Sequence, residues 1–353
     1  MSEPEPLPLS DVSRHARAVL DQVGTVVVGK RDHLELVLAG ILAGGHVLLE
    51  DYPGLAKTLA ARCFAQSLGL TFTRLQFTPD LLLADVTGSY FYDQKRADFV
   101  FRPGPLFTNL LLADEINRTP PKTQAALLEA MQERQVTVEG RTFRLEPPFH
   151  VLATANPIEY EGTYPLPEAQ LDRFLLRVSF GYPDRDEERA VLQRRMARQR
   201  EEAVLEPVID AATLRRAQRA LETVAVEDSL CGYMVDITAA TRSHQHVQVG
   251  ASPRGSLALL LTSRARAVMA GRDYVTPEDV KAVAPAALAH RISLRPEVWL
   301  RRLDPGDVVA EVCERTPAPP SERLPTYSAA PTGPSGRQAG GDDPVFRYAG
   351  GGR

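Results

Sequence analysis

The hydrophobic pattern divides the chain in two. Between about residues 47 and 183, short apolar runs alternate with segments of helical period. Leu48–Glu50, Thr71–Gln76, Leu110–Glu115, His150–Pro157 and Leu175–Phe180 read as strands, most of them apolar on both faces. Helices are expected from Lys57 to about Ser67 and over Lys122–Glu133, where Thr123, Ala126, Leu127, Ala130 and Met131 form the buried side. Strands alternating with helices predict an α/β fold with a parallel sheet. Residues 87–103 and 135–145 alternate polar and apolar about central turns and read as two inserted β-hairpins. Two helices are expected ahead of the sheet. One is capped by Ser10 and runs to about Val23; the other runs from Arg31 to Gly44. Beyond residue 205 the pattern predicts helices only, near 210–223, 228–242, 252–271 and 276–289. Ser252-Pro253 and Thr276-Pro277-Glu278-Asp279 each place a cap and a first-turn proline.

The organisation expected is a disordered start at 1–9, an α/β core over 10–183 and a charged, solvated connector helix over 184–204. A small all-helical domain follows over 205–312, then a disordered tail over 313–353. The last 38 residues hold 7 Pro and 7 Gly and little to bury. The terminal Phe346-Arg347-Tyr348 reads as plain tail rather than a docking peptide.

Composition narrows the classes. A chain of 353 residues with 44% hydrophobic and 24% charged residues can bury a sizeable core. A net charge of −4 provides no global field for nucleic acid. Cys63, Cys231 and Cys313 are far apart and read as reduced thiols, and His244 and His246 read as surface residues with nothing to complete a metal site. No apolar run has membrane-spanning length and the N-terminus carries no signal pattern, so the cytoplasm is expected.

The candidate chemistry lies at strand ends. After Glu50 the chain reads Asp51-Tyr52-Pro53-Gly54-Leu55-Ala56-Lys57-Thr58-Leu59. A strand, a tight turn, a lysine, a hydroxyl and a helix N-terminus describe a phosphate cradle, with a plain strand–turn–helix as the alternative. Lys57 would contact the β and γ oxygens and Thr58 would hold Mg2+. The general pattern wants glycine at 51 and 56, where this chain has Asp51 and Ala56; the alanine is acceptable with φ below zero. Val28-Gly29 reads as one wall of an adenine pocket. Asp114 and Glu115 end an apolar strand, where open α/β sheets bind ligands. Asp114 would orient the water shell of Mg2+, Glu115 would polarise the attacking water, and Asn156, ending the next buried strand, would bridge that water and the γ-phosphate.

Pro53–Thr58, Leu111–Arg118, Pro121–Glu133, Ala155–Glu159 and Leu166–Phe174 together resemble the MoxR family of AAA+ ATPases over roughly residues 10–312. The resemblance implies a P-loop core followed by a small helical lid. It assigns Lys57 and Thr58 to Walker A, Asp114 and Glu115 to Walker B, Asn156 to sensor 1, Arg173 to the arginine finger and Arg254 to sensor 2. It implies ATP and Mg2+ as cofactors, a homo-oligomeric, hexameric ring, and hairpins facing a pore. It also implies chaperone-like work on a protein client beside a separate von Willebrand factor A domain protein. Physical reasoning supports both arginines, because a transferring phosphoryl group needs positive charge beyond Lys57 and Mg2+. Arg118 is a weaker candidate for intersubunit contact.

Two rival functions are a nucleotide-gated scaffold with little hydrolysis and a nucleic-acid motor; a metal-chelatase motor is a near relative of the main reading. Asp51 and Ala56 permit the first. For the second, Lys95, Arg96, Arg141 and Arg144 form a modest basic set, taken to lack interleaved aromatics.

Overall fold

The computed structural model describes residues 4–156, 163–199, 203–301 and 303–319. All of these belong to one compact unit, Met1–Pro319. The tail expected beyond Pro319 lies outside the described residues.

Two helices lead. α1 (Leu9–Gly24) and α2 (Arg31–Leu42) bury Val12, Val19, Leu20, Leu34, Leu38 and Ile41. α1 starts at Pro8 with no side-chain cap, so Ser10 lies inside the first turn rather than capping it. Residues 4–8 include backbone anchors: Leu7 N–H donates to the Arg216 carbonyl and Arg216 Nε donates to that of Glu5.

The sheet follows. β1 (Val47–Glu50) leads through the P-loop into α3 (Lys57–Ser67) and on to β2 (Phe72–Gln76). A short α4 (Leu83–Thr87) precedes the hairpin β3 (Gly88–Asp93) and β4 (Asp98–Pro103). Then come β5 (Leu110–Asp114), α5 (Pro121–Glu133), the hairpin β6 (Gln135–Val138) and β7 (Arg141–Arg144), and β8 (His150–Ala155). A four-residue α6 (Glu168–Leu171) precedes β9 (Leu176–Val178). The five-stranded sheet has order β2-β5-β8-β1-β9, with every pairing parallel. Leu48, Leu111, Val151, Leu127, Met131 and Phe174 form the core of its hairpin-bearing side. Because all strands run the same way, one edge collects the strand C-termini. β1 lies between the central strand β8 and the edge strand β9, which places the P-loop over a crevice at that edge.

α7 (Arg185–Arg198) has no buried side chain, as a charged connector should. It is not uniformly polar, since Val191, Leu192 and Met196 are exposed along it. The helical part comprises α8 (Ala211–Leu221), α9 (Asp228–Ser243), α10 (Pro253–Met269), α11 (Pro277–Leu288) and α12 (Pro305–Arg315). It departs from helix-only in one respect: β10 (Val247–Val249) pairs antiparallel with β11 (Ser293–Leu294). α12 was missed, although Asp304-Pro305 carries a cap and first-turn proline; it extends to Arg315 and buries Cys313 inside the span expected to be tail. His244 is buried at the end of α9 rather than on the surface, 3.5 Å from Glu311. The hairpin also overturns one premise about nucleic acid. Phe91, Tyr92 and Phe99 are exposed on β3 and β4, and the Arg141 guanidinium sits 5.7 Å over the Tyr90 ring, so aromatics do interleave with the basic set.

Three histidines are buried in the neutral form. His46 Nε2 donates to the Met131 carbonyl, while its Nδ1 accepts from Val151 N–H. His150 donates from Nδ1 to the Gly45 carbonyl and accepts from Gln218 at Nε2. His290 lies against the Phe174 carbonyl. Burial pulls His46 and His290 well below the ordinary imidazole range and His150 down to about 4. The unfolded chain takes up these protons near pH 6.5 and the folded chain does not. Stability should therefore be unaffected by them above that pH and fall on acidification. The slope is up to about 1.4 kcal/mol per pH unit per histidine, ending near pH 4 for His150. Urea midpoints at pH 7.5, 6.5 and 5.5 test this; a flat profile would mean the rings titrate normally in the fold.

Candidate nucleotide site

The P-loop departs from its expected shape at both non-glycine positions. Ala56 has φ +57°, in the left-handed region, and not the negative φ expected of it. Gly54 has φ +83°. A left-handed alanine is strained by about 1 kcal/mol. Ala56→Gly should therefore raise stability by roughly that amount with nucleotide affinity preserved. Urea unfolding beside a fluorescent-nucleotide titration would check it, and a destabilised variant would show that the Ala56 methyl is needed for packing. Asp51 stands where the general pattern has glycine and is buried. Its carboxylate accepts from Ser179 Oγ at 2.7 Å, from Phe180 N–H and from Gly181 N–H at 3.1 Å. The residue that seemed a defect thus pins the P-loop to the segment after β9.

Lys57 and Thr58 open α3, so the helix N-terminus and loop N–H groups face the same space. Lys57 Nζ donates to the Asp51 and Tyr52 carbonyls. Burial lowers its pKa, opposed by Asp51, Asp114 and Glu115. A cavity of about 410 Å³ brings together Pro53–Leu59, Asp114, Glu115 and Asn156, which are the sequence-predicted loop, acids and amide.

Three further residues complete this cluster, and sequence reading did not assign them. Thr154 Oγ1 donates to Asp114 Oδ1 at 2.6 Å and accepts from Glu115 N–H at 2.8 Å. Arg74 pairs with Asp114 Oδ2 at 2.7 Å and donates to Gln76 Oε1 at 2.9 Å. Gln76 donates to Glu115 Oε2 at 2.6 Å. Arg118 also lies 3.0 Å from Glu115 Oε2, an intrachain role beside the intersubunit one expected. The available signal was the alternation of Arg74 and Gln76 at the end of a strand beside the one ending in Asp114. Glu115 itself has φ +57°, a strained backbone of the kind found at functional sites.

A second cavity shares Pro53–Ala56 and Leu59 with the first and is lined by Val26, Val27, Val28, Tyr182 and Val191. Its lining is mostly apolar, with Lys30 and Glu188 as its charged members. Val28 lines it as expected. Gly29 instead makes the turn: its φ is +65°, and a Cβ there would fall 2.0 Å from Glu187 Oε1. Glu188 and Val191 come from the segment read as a solvated connector, and Tyr182 from the end of the core just before it.

Arg173 and Arg254 lie elsewhere. Arg173 precedes β9 and so belongs to the N-terminal edge of the sheet, opposite the P-loop. β8, of six residues, spans about 20 Å between those edges. Arg254 shares a cavity with Arg173, and neither lines the one holding Lys57. Arg134 lines the same cavity but is engaged by the Gly44 and Phe149 carbonyls. Among the described residues, Arg173 has no acid within ion-pair distance, while Arg254 Nε lies 3.9 Å from Asp172.

The comparisons agree with this architecture. A family model described as "ATPase family associated with various cellular activities (AAA)" matches residues 46–176, and an AAA lid domain model matches 239–312. The chain is 42% identical to the Chaperone MoxR1 of Mycobacterium tuberculosis over 90% of its own length and 85% of the relative's. It is 50% identical to the uncharacterized protein YeaC of Bacillus subtilis over 85% of this chain and 93% of that one. The crystal structure of a Cytophaga hutchinsonii protein aligns with TM-score 0.82 and 38% identity, covering 88% of this chain and 97% of that one. A P-loop at the strand C-termini of a five-stranded parallel sheet, two strand-end acids beside it and a helical lid are thus joined to sequence kinship along most of the chain, which belongs to the MoxR family of AAA+ ATPases.

Proposed function

We propose that the chain hydrolyses ATP in active sites shared between neighbouring copies. One observation carries the reading. The binding half of the site and its two candidate arginines occupy opposite edges of one sheet, so each protomer has half a site at each edge. Stacking copies head to tail joins the halves, and such a heterologous contact forms a ring when its rotation closes. A ring of six is what the resemblance implies.

Within the site, the N–H groups of Gly54–Lys57 and the Lys57 ammonium hold the phosphates. Thr58 and Asp114 supply hard oxygens that suit Mg2+, which would neutralise phosphate charge. Thr154 fixes the Asp114 carboxylate. Glu115 takes the proton of the attacking water, and Asn156 orients it. Arg173 and Arg254 of one copy would stabilise the charge on the phosphoryl group held by the next. The adenine lies between Val28 and Tyr182.

The chaperone-like role follows the named relative: hydrolysis would move lid against core and remodel a protein client, beside a separate von Willebrand factor A domain protein, with metal-cofactor insertion as one form of that work. The cytoplasm is the proposed place; the three cysteines are unpaired, and no helix among the described residues is long and apolar enough to cross a membrane. A scaffold with little turnover has one observation in its favour: Glu115 and Asp114 are both already engaged, by Gln76 and Arg74. The wild-type rate of ATP hydrolysis per subunit against protein concentration separates the readings. It should rise and then plateau as copies assemble. A finite but concentration-independent rate would mean self-contained sites, and no hydrolysis at the plateau would favour the scaffold.

A further inference from the structure

The segment that carries Arg173 is held from the lid side as well as by the core. Its core attachments are the buried Phe174 ring and the Leu175 N–H bond to the His46 carbonyl. Its lid attachments centre on Arg291, just past α11. Arg291 Nε pairs with Asp172 Oδ1 at 2.8 Å, Nη2 donates to the Phe174 carbonyl at 2.7 Å, and Nη1 donates to those of Leu175 at 3.2 Å and Ala287. His290 adds a second bond to the Phe174 carbonyl, and Ser252, the cap of α10, donates to Asp172 Oδ2 at 3.2 Å. So the residues on both sides of Arg173 are bonded to the lid.

The Arg291 side chain is only 3% exposed. Burial brings its pKa down to about 10, still charged at neutral pH. Taking a guanidinium out of water costs several kcal/mol, and an apolar residue would fill the space more cheaply. What an arginine provides and an apolar side chain cannot is a planar fork that holds several oxygens in fixed directions. Here those oxygens belong to the three residues around the finger, Asp172, Phe174 and Leu175, and to Ala287 of α11. Asp172 divides its carboxylate between Arg291 and the start of the helix carrying Arg254, so one acid registers both arginines of the shared half-site.

We propose that Asp172 and Arg291 are positioning residues for the finger: their ion pair ties Arg173 to the lid, so the reach of Arg173 into the neighbouring site depends on the lid of its own subunit. This rests on the shared-site reading. It makes lid position in one subunit a control on hydrolysis in the next, without contact between Arg291 and nucleotide.

The test is complementation between variants. Arg291→Lys keeps the charge but loses the fork, and Asp172→Asn keeps the shape but loses the charge. Each alone should lower turnover by about a hundredfold, as expected for a displaced catalytic group. Each should also bind fluorescent ADP as wild type does, because its own P-loop is intact. Mixing either with Glu115→Gln, which has a dead site but a sound finger, should raise the rate several-fold above the mean of the separate proteins. The Arg291→Lys or Asp172→Asn subunits then receive working fingers. Mixing Arg173→Ala with Glu115→Gln is the control. If that pair recovers and the Arg291 and Asp172 pairs do not, the joint is wrong and shared sites stand. If the control itself fails to recover, the shared-site reading falls, and the joint with it. Wild-type turnover in both single variants, or loss of ADP binding in both, would likewise overturn the proposal, since the pair would then be dispensable or a general support of the fold.

Discussion

Replacing Glu115 by glutamine should stop ATP turnover while leaving nucleotide binding in place. Glu115 lines the cavity beside Lys57 and Thr58, at the end of a strand whose last residue, Asp114, is fixed by Thr154 and Arg74. The amide has nearly the shape of the carboxylate, so Gln76 and Arg118 still find an oxygen where Glu115 Oε2 stood. What the amide cannot do is take a proton from water. Loss of a general base lowers rate by about 10² to 10⁴. In the proposed site the loop and Lys57 hold the phosphates, so affinity for a fluorescent ATP analogue should stay within a few-fold of wild type. Phosphate release under saturating ATP measures the first quantity and an equilibrium titration the second. Turnover at the wild-type level would remove Glu115 from the chemistry. Loss of binding together with turnover would mean that the Gln76–Glu115 bond supports the pocket itself.

The features legible in the sequence were those in which chemistry and local geometry coincide. Lys57-Thr58 at a helix start, Asp114-Glu115 and Asn156 at the ends of apolar strands, and Thr276-Pro277 at a helix cap each announce themselves within a few residues. The parallel sheet followed from the same alternation. Features that depend on distant partners were not legible. Asp51 looked like a missing glycine because its three donors lie near residue 180, almost 130 positions away. The second cavity draws Glu188 and Val191 from a segment whose charge made it look wholly solvated. β10 and β11 are too short, at three and two residues, for any periodicity. Arg254 was assigned to nucleotide with no means of knowing which edge of the sheet its helix meets. That depends on how α10 packs against α1, α2 and the segment around Asp172, which no local pattern encodes.

Arg173→Ala should reduce hydrolysis as far as Glu115→Gln does, and for a different reason. A finger arginine contributes about 10³ or more in rate by meeting charge that develops on the transferring phosphoryl group. Arg173 cannot deliver that to its own P-loop, since it precedes β9 while the P-loop follows β1, and the two strands are parallel neighbours. Nucleotide affinity measured on dilute protein should therefore be unchanged by the substitution. The rate per subunit should stay low at every protein concentration, where the wild-type curve rises. Nor should Arg254 compensate. It shares the cavity with Arg173, but it sits in the first turn of α10, where its charge opposes the helix dipole and is partly answered by Asp172. Arg254→Ala should thus give a smaller loss with the same concentration dependence as wild type. An Arg173→Ala protein that keeps the wild-type rate would place the compensating charge within the same subunit. The only arginine lining the Lys57 cavity, among the described residues, is Arg74. That outcome would make Arg74 the next residue to replace, and it would turn two half-sites into one.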